Sequence, residues 1–266
     1  MAKYAILSDI HSNLEALTVV LAKCRELGIQ EYISLGDVVG YNADPAECMR
    51  LVRSLNLIAR VKGNHDDYAS SGNLDESGFN PNAKKAVLWT REHLTEEERE
   101  WLKSAPYDSR LPAAGATLVH ATLDTPQNWG YIIDAFHAED NFLYQRTCLC
   151  FCGHSHVPVA FIKKQITAPG ERPIDRIVQW SSSFDEDFTV PDVITIEYRK
   201  NNKYLLNVGS IGQPRNGDPR ASFVVLDTDA MKVSRYRLPY DIRTTQQKIL
   251  AAGLPTRLSD RLAIGS

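Results

Sequence analysis

The sequence predicts an α/β fold with a parallel sheet, because short apolar runs alternate with helical patterns and each run ends in polar residues. The apolar runs at residues 3–8, 32–35 and 57–61 predict three strands, and the segments between them carry apolar residues at helical spacing. The carboxyl ends of parallel strands border one crevice. We therefore expect the polar residues that follow these strands to converge on one site.

The first two helices are predicted from their end signals. Ser12 is the expected N-cap of a helix that runs to Leu27 and stops at Gly28. Asp44 and Pro45 open the second helix, since proline is preorganised for the first helical position. The chain thus begins as strand, helix, strand, helix, strand.

A helical insertion is expected at about residues 68–105. Asn80 and Pro81 open one helix, and Thr95 forms a capping box with Glu98 at the start of the next. The insertion could cover the site and select the leaving group through Phe79, Asn80 and Trp89.

The remainder of the chain is predicted to be rich in strands. Asn201 and Asn202 separate two strand-like runs, which predicts a hairpin. Further strands are expected at 116–119, 147–151, 221–226 and 231–237, a loop at 169–173, and a last helix at 241–252. Because no repeat, linker or low-complexity tract interrupts the sequence, we expect residues 1–266 to form a single domain.

Composition excludes several classes of protein. The net charge is −3 and the pI is about 6.2, so the sequence offers no clear nucleic-acid surface. The N-terminus does not resemble a signal peptide, and no apolar run approaches the ~20 residues that cross a bilayer, so no membrane association is expected. Five cysteines, odd in number and clustered, favour reduced thiols and a cytoplasmic location. The oligomeric state is not predicted.

The segment CLCFCGHSH concentrates possible zinc ligands, but an extended strand spaces them too widely. Side chains on one face of a strand are about 7 Å apart, so Cys148, Cys150 and Cys152 do not fit around one tetrahedral ion. We interpret them as small apolar residues on a buried strand. The same spacing indicates that His154 and His156 serve two adjacent ions.

The residues at the predicted strand ends supply enough ligands for two metal ions. Asp37 is the best candidate for a bridging carboxylate. Mixed carboxylate, amide and imidazole ligands favour Mn, Fe, Zn or Ni over Mg or Ca. The seven predicted metal ligands are Asp9, His11, Asp37, Asn64, His120, His154 and His156.

Five motifs, SDIH, GDVVG, GNHD, VHA and CGHSH, resemble in order and spacing those of the calcineurin-like metallophosphoesterase superfamily. The stretch NVGSIGQPR at 207–215 resembles a loop of its bacterial, small-phosphodiesterase-like branch. The resemblance implies two sheets packed face to face and flanked by helices, an α/β/β/α sandwich. It implies that Asp9, His11 and His156 hold one ion and Asn64, His120 and His154 the other, with Asp37 bridging.

The resemblance also implies the activity, which is hydrolysis of a small phosphoester by a hydroxide that bridges two divalent ions, with Mn favoured. His65 is the expected catalytic residue, donating to the leaving oxygen if it is protonated. Asn64, His65, Tyr41 and Arg215 are the expected substrate contacts, and Asn42 is a further candidate. Asn13 is expected to stabilise a turn, and the loop at 207–210 to lie near the site.

The substrate class is predicted from a position at which this sequence differs from the pattern of related enzymes. Protein Ser/Thr phosphatases and symmetrical dinucleoside-tetraphosphate hydrolases of this superfamily place an Arg after the GDxV motif, where this chain has Gly40 and Tyr41. Asp66 or Asp67 could replace the carboxylate that orients the catalytic His. We expect a phosphodiesterase or phosphatase for a nucleotide-like phosphoester. The alternatives are a diadenosine tetraphosphate-type hydrolase, then a protein phosphatase or a non-catalytic scaffold.

Overall fold

The computed structural model describes residues 3–71, 80–166, 174–181 and 192–266. The strands in these ranges are β1 (Lys3–Leu7), β2 (Glu31–Ser34), β3 (Leu57–Arg60), β4 (Asp108–Leu111), β5 (Ala116–Val119), β6 (Leu149–Cys152), β7 (Val159–Ile166), β8 (Ile174–Ser181), β9 (Val193–Glu197), β10 (Lys203–Asn207), β11 (Ala221–Asp227) and β12 (Lys232–Leu238). The helices are α1 (Leu14–Glu26), α2 (Pro45–Ser54), α3 (Asn64–Ser70), α4 (Pro81–Glu92), α5 (Glu96–Lys103), α6 (Ala135–Tyr144), α7 (Ile242–Ala251) and α8 (Thr256–Asp260).

The strands form two six-stranded mixed sheets. Sheet 1 has the order β3-β2-β1-β11-β12-β9, and its first three strands are parallel, as the sequence predicted. Sheet 2 has the order β4-β5-β6-β10-β7-β8, with β5, β6 and β10 parallel. Each sheet thus contains one parallel group of strands, and the remaining pairs are antiparallel.

The two sheets pack face to face, with helices on their outer faces. Alternate residues of β1 face opposite layers: Tyr4 and Ile6 contact sheet 2, while Ala5 and Leu7 pack beneath α1 and α2. Both faces of β1 are therefore covered, which explains its uninterrupted apolar sequence. On the far side, α6 packs on sheet 2 through Phe142. The predicted α/β/β/α sandwich is confirmed.

The first helix begins one residue later than predicted. The N-cap is Asn13, whose side-chain oxygen accepts a hydrogen bond from the backbone N–H of Ala16 at 3.0 Å. Ser12 has a left-handed φ of 55°, so the prediction of Ser12 as the cap is wrong. Asn13 also donates its amide to the carbonyl of Gly212 at 3.0 Å, which confirms its role in the turn. Gly28 follows the helix with a φ of 70°, as expected of a C-terminal stop.

The hairpin predicted around Asn201 and Asn202 is wrong. A turn is present, but β9 pairs with β12 in sheet 1, whereas β10 lies between β6 and β7 in sheet 2. The turn carries the chain from one sheet to the other. In this way β10 gains a neighbour on both edges, whereas β9 becomes an edge strand paired with β12.

The insertion at 68–105 is helical where it is described, since α3, α4 and α5 follow one another there. Asn80 caps α4 and Thr95 forms the predicted capping box. Trp89 packs on a cluster that includes Tyr41 and Ile249 and stacks on His93 at 3.8 Å, and its covering role stays a prediction. Phe79 and the loop predicted at 169–173 lie outside the described residues.

Two of the three clustered cysteines are core residues, as predicted. Cys150 and Cys152 are buried with Phe161 and Leu205, and burial raises the pKa of Cys150 to about 12. Cys148 departs from the prediction, because it precedes β6 in a bend, is half-buried and packs toward the layer between the sheets. These thiols stay protonated at neutral pH, which does not suit metal ligation. None of the helices in the described ranges could span a bilayer.

Candidate metal centre

The predicted site residues converge at one edge of the sandwich, where parallel strands of both sheets end. Asp9 and His11 follow β1, Asp37 follows β2, and Asn64 opens α3 directly after β3. From sheet 2, His120 follows β5, and His154 and His156 follow β6. The site is therefore assembled from two sheets, since the carboxyl ends of both parallel groups meet at this edge.

Four buried residues form a compact first group of donor atoms. One ligand-type atom from each of Asp9, His11, Asp37 and His156 lies within 4.8 Å of the others. Asp9 Oδ1 is 3.1 Å from His156 Nε2 and 3.7 Å from His11 Nε2. Asp37 Oδ2 is 3.6 Å from His11 Nε2. Two carboxylates and two imidazoles at these separations could enclose a single cation.

The histidine tautomers in this group are fixed by backbone carbonyls. His11 Nδ1 donates to Val39 O at 3.1 Å, and His156 Nδ1 donates to Gln213 O at 2.6 Å. Their Nε2 atoms therefore carry lone pairs, and these two atoms face each other at 3.0 Å. Two lone pairs at that distance repel unless a cation lies between them. The donor set therefore fits a transition-metal ion, and the carbonyls act as the outer partners that orient metal-bound histidines.

A second group shares Asp37 with the first. Asn64 Oδ1 lies 2.9 Å from His154 Nδ1 and 3.2 Å from His120 Nε2. His120 Nδ1 donates to Leu35 O at 2.8 Å, so its Nε2 also points into the site. Asp37 Oδ2 is 3.3 Å from His120 Nε2, in addition to its contact with His11. The Asp37 carboxylate thus lies between the two groups.

The backbone of these loops is strained where the donors lie. Asp9, His11, Asp37, His154 and His156 all have left-handed φ angles, between 48° and 66°. Non-glycine residues adopt this region rarely, at a cost of roughly 1–3 kcal/mol each. Such residues persist only where the surrounding structure holds them, and they concentrate at functional sites.

Asp9 is held by close contacts from both sheets. Ser8 Oγ donates to Asp9 Oδ2 at 2.6 Å, and Ser210 Oγ donates to the Asp9 carbonyl at 2.8 Å, which confirms the loop at 207–210 as a neighbour of the site. The backbone N–H of His154 donates to the Asp9 carboxylate at 3.2 Å. A Cβ at Gly153 would lie 2.4 Å from Asp9 Oδ2, so only glycine permits this approach.

Most of the donor residues are in the protonation state that binds a cation. Burial raises the pKa of Asp9 and Asp37, but the neighbouring histidines outweigh it and hold both pKa values below the ordinary one. Burial lowers the pKa of His154 to about 3 and also lowers that of His11. The carboxylates are therefore ionised and these imidazoles neutral at pH 7.

His120 and His156 complete the electrostatic picture. Burial lowers the pKa of His120, but Asp37 and Asp9 outweigh it and raise the pKa to about 9. Burial and then Arg215 lower the pKa of His156. A cation that binds this site at neutral pH must therefore displace the proton of His120, whereas His156 already presents a free lone pair.

His65 lies beside the donor groups. Its backbone N–H donates to Asp37 Oδ1 at 2.7 Å, and its ring centroid is 4.8 Å from that of His11. A Cβ at Gly40, whose φ is 97°, would lie 2.5 Å from His65 Nδ1, so Gly40 makes room for the ring. Burial lowers the pKa of His65 to about 4. The ring is therefore neutral at pH 7 and offers one N–H, unlike the protonated form considered from the sequence.

Neither predicted orienting carboxylate contacts the His65 ring. Asp66 accepts hydrogen bonds from the backbone N–H groups of Asp37 at 2.7 Å and Val38 at 2.9 Å, so it supports the loop after β2. Asp67 pairs with Lys62 at 3.1 Å. Within the described residues, His65 Nδ1 has no hydrogen-bond partner.

The predicted substrate contacts divide into two kinds. The Tyr41 ring lies 4.3 Å from that of His65, and Arg215 Nη2 donates to the Tyr41 hydroxyl at 3.1 Å, so both lie next to the donor groups. Asn42 is wrong as a substrate contact, because it is fully buried and its amide donates to the His11 carbonyl at 2.7 Å. It stabilises the loop that carries His11.

Four residues near the site were missed from the sequence. Tyr131 places its ring 4.3 Å from that of His154, and Trp129 lies 5.9 Å from the His120 ring. Arg257 and Arg261 line a cavity together with Tyr41. The arginine pair carried no sequence signal that links it to Tyr41, because it lies on and just after a five-residue helix without a side-chain cap. The two aromatic residues lie in an irregular segment and carried none either.

An α/β/β/α sandwich with a buried cluster of Asp and His residues at this edge defines a metal-dependent phosphoester hydrolase. The chain belongs to the calcineurin-like phosphoesterase superfamily, whose domain model matches residues 2–178. It is 35% identical to an uncharacterized protein of Methanocaldococcus jannaschii, over 98% of this chain and 97% of that one.

Two further comparisons agree with this family. The crystal structure of a metallophosphoesterase from Sphaerobacter thermophilus matches 99% of each chain with a TM-score of 0.78 and 35% identity. A symmetrical bis(5'-nucleosyl)-tetraphosphatase of Aggregatibacter actinomycetemcomitans is 31% identical over 123 residues, which cover 46% of this chain and 44% of that one.

Proposed function

We propose that the protein hydrolyses a small, nucleotide-like phosphoester with two divalent transition-metal ions, with Mn favoured. The observation that carries the proposal is the position of Asp37, whose Oδ2 contacts His11 of one donor group and His120 of the other. One ion would be held by Asp9, His11 and His156 and the second by Asn64, His120 and His154, with Asp37 shared. When bound, two such ions activate a water as nucleophile and neutralise charge on the phosphoryl oxygens.

The protein's own groups contribute position and hydrogen bonds. Asn64 keeps its amide nitrogen available while its oxygen faces His120 and His154, so it can donate to a phosphate oxygen. His65 offers one N–H from a neutral ring beside Asp37. That N–H would stabilise the developing oxyanion of the leaving group, because charge-assisted hydrogen bonds strengthen in a buried site.

The aromatic residues support a nucleotide-like substrate. Tyr131 is 50% exposed and presents a ring face next to His154. It lines a cavity of about 400 Å³ that also contains Asn128 and Asp140. Exposed tyrosine faces bind nucleobases by stacking. A leaving group with a planar base would find its place in this cavity.

The main alternative is a dinucleoside polyphosphate hydrolase of the diadenosine tetraphosphate type. The partial similarity to a symmetrical bis(5'-nucleosyl)-tetraphosphatase favours it. A protein Ser/Thr phosphatase is disfavoured, since Gly40 and Tyr41 stand where those enzymes carry an arginine. A non-catalytic scaffold is disfavoured because the metal donors and His65 are all present and converge.

The proposal is tested by hydrolysis of bis-p-nitrophenyl phosphate with Mn²⁺, Fe²⁺, Zn²⁺ or Ni²⁺, and with EDTA as the control. We expect activity that EDTA abolishes and Mn²⁺ restores. Absence of hydrolysis with every ion would refute the proposal. Rates on diadenosine tetraphosphate and on a cyclic nucleotide then separate the main proposal from its alternative.

We also propose that the protein works in a reducing compartment such as the cytoplasm. All five cysteines are free, and Cys24, Cys48, Cys150 and Cys152 are buried as thiols. Thiol-specific labelling of the denatured protein, purified without reductant, is expected to modify all five. Fewer labelled residues would indicate disulfides and contradict this setting.

A further inference from the structure

A strongly basic cavity of about 270 Å³ adjoins the candidate metal centre. We call it the basic cavity, and it is lined by Arg215, Arg257 and Arg261 together with Tyr41, Asn80, Asn82 and Tyr131. No Asp or Glu occurs among the described residues that line it. Three guanidinium groups thus face one volume together with amide and hydroxyl donors.

The three arginines come from two parts of the chain. Arg215 lies on the loop after β10, Arg257 on α8, and Arg261 in the turn that follows α8. Among the described residues, no Asp or Glu side chain lies within ion-pair distance of any of the three arginines. Arg261 donates Nε to an oxygen of Ser266, the last residue of the sequence, and Arg215 has a buried Nε without a partner. The described side chains therefore supply no carboxylate that pairs with these guanidinium groups.

Other arginines in this chain show the contrast. Arg237 is fully buried, and its Nη1 pairs with Asp218 Oδ2 at 2.7 Å. Arg220 pairs with the same carboxylate at 2.7 Å. Where arginines cluster for structural reasons, a carboxylate lies between them. In the basic cavity that place is open to an anion from outside, because three like charges around one volume repel each other.

The basic cavity and the metal centre share a wall. The Tyr41 ring lies 4.5 Å from the His11 ring on one side, and the Arg215 guanidinium carbon lies 5.7 Å from the Tyr41 ring on the other. An anion in the cavity would therefore lie close to a phosphate held at the metal centre.

We propose that the basic cavity binds a second, non-reacting phosphate of the substrate, so that preferred substrates carry at least two phosphates, as phosphoanhydride-linked nucleotides do. This inference rests on the proposed function, which places the cleaved phosphate at the metal centre. Guanidinium groups match phosphate oxygens in geometry and charge, and Arg257 on α8 and Arg261 in the turn after it line the same volume. The second phosphate would set the register of the substrate, and the metal centre would determine which bond is cleaved.

The kinetic test compares two substrates in the double variant Arg257→Gln/Arg261→Gln. Diadenosine tetraphosphate carries phosphates besides the reacting one, whereas bis-p-nitrophenyl phosphate carries only the reacting phosphate. We expect kcat/KM for diadenosine tetraphosphate, divided by kcat/KM for bis-p-nitrophenyl phosphate, to fall at least about 30-fold in the double variant. Each hydrogen bond from an arginine to a phosphate contributes about 1.5–3 kcal/mol, and the variant removes those of two arginines. Arg243→Gln, an exposed arginine on α7, is the matched control and should leave the ratio unchanged. An unchanged ratio in the double variant overturns the proposal.

A binding test needs no activity. Inorganic pyrophosphate is titrated calorimetrically into protein kept metal-free with EDTA, and we expect affinity at least about tenfold weaker in the double variant. Equal affinities overturn the second-phosphate site. An enzyme inactive on bis-p-nitrophenyl phosphate with every ion would overturn the proposed function instead, so the two failures are distinguishable. Circular dichroism verifies that each variant is folded.

Discussion

The metal centre and the basic cavity lie on either side of Tyr41 and need opposite charges. In the metal centre, carboxylates and imidazole lone pairs face one another at 3.0 to 4.0 Å, so the site is complete only with cations. In the basic cavity, three guanidinium groups line one volume with no Asp or Glu among its described lining residues, which favours an anion there. One substrate bound to metal ions can supply both charges, because the metal ions lie on one side of Tyr41 and a phosphate lies on the other.

The largest effect expected is that of Asp37→Asn, which removes the carboxylate between the donor groups. We expect kcat/KM to fall roughly 1,000-fold or more on every substrate, because the charge on both ions is no longer balanced. Bound metal, measured by mass spectrometry after loading, should fall with it. Pyrophosphate binding to the metal-free protein should not weaken, since the basic cavity lacks this residue.

Asp67→Asn is the matched control, because Asp67 pairs with Lys62 and not with the donor groups. It should retain metal and activity. If Asp37→Asn also abolished pyrophosphate binding, the metal centre and the basic cavity would not be separate sites.

His65→Asn should lower kcat roughly 100-fold or more, the size typical of a lost acid or hydrogen-bond donor at the reacting group. Metal content should stay that of the wild type, because His65 belongs to neither donor group. His93→Asn, an exposed histidine on the insertion, serves as control. Loss of metal in His65→Asn would contradict the assignment of His65 to the substrate side.

Metal affinity should rise by about tenfold per pH unit between pH 6.5 and 9. Neighbouring carboxylates raise the pKa of His120 to about 9, from an ordinary value of 6.5. The proton on His120 therefore stabilises the metal-free fold fully below pH 6.5, and that stabilisation is lost as the pH rises through 9. A bound cation takes the place of the proton, so binding releases it.

Calorimetry of Mn²⁺ binding in two buffers of different ionisation enthalpy counts that proton. We expect about one proton released per protein at pH 7.5. His120→Asn should bind Mn²⁺ more weakly and release none. Proton release that persists in this variant would assign the raised pKa to another group.

The smallest effect concerns Tyr131, which lines the basic cavity and also contacts His154. Tyr131→Ala should raise KM for a nucleotide about fivefold, the lower end of the stacking contribution of one base, with kcat little changed. Tyr144→Ala, another exposed tyrosine, is the control. An equal, about fivefold weakening of pyrophosphate binding to the metal-free protein would assign Tyr131 to the phosphates and not to the base.

The donor residues could be predicted because they obey a local rule. Each follows a short apolar strand, and the ends of parallel strands meet whatever the rest of the chain does. The sequence also indicated Asn13, Asn80 and the capping box at Thr95, since caps depend on neighbours in sequence. The assignments of individual donors to particular ions stay predictions, as does the single domain over residues 1–266.

What could not be predicted depends on contacts distant in sequence. Asn201 and Asn202 favour a turn, but a turn does not determine which sheet each flanking strand joins. The five-residue helix α8 has no side-chain cap, so Arg257 and Arg261 carried no visible link to Tyr41. The neutral state of His65 follows from burial that the surrounding elements create together. These features require the assembled sandwich.

The sheet origin of the donors has a consequence for stability. Asp9, His11, Asp37 and Asn64 follow strands of sheet 1, whereas the other three donors follow strands of sheet 2. Each proposed ion would take ligands from both sheets and would cross-link the sheets at the open edge of the sandwich. Separation of the sheets at this edge and release of the ions would then be one event. Chelation should lower the thermal midpoint and allow the two sheets to exchange their amide protons independently.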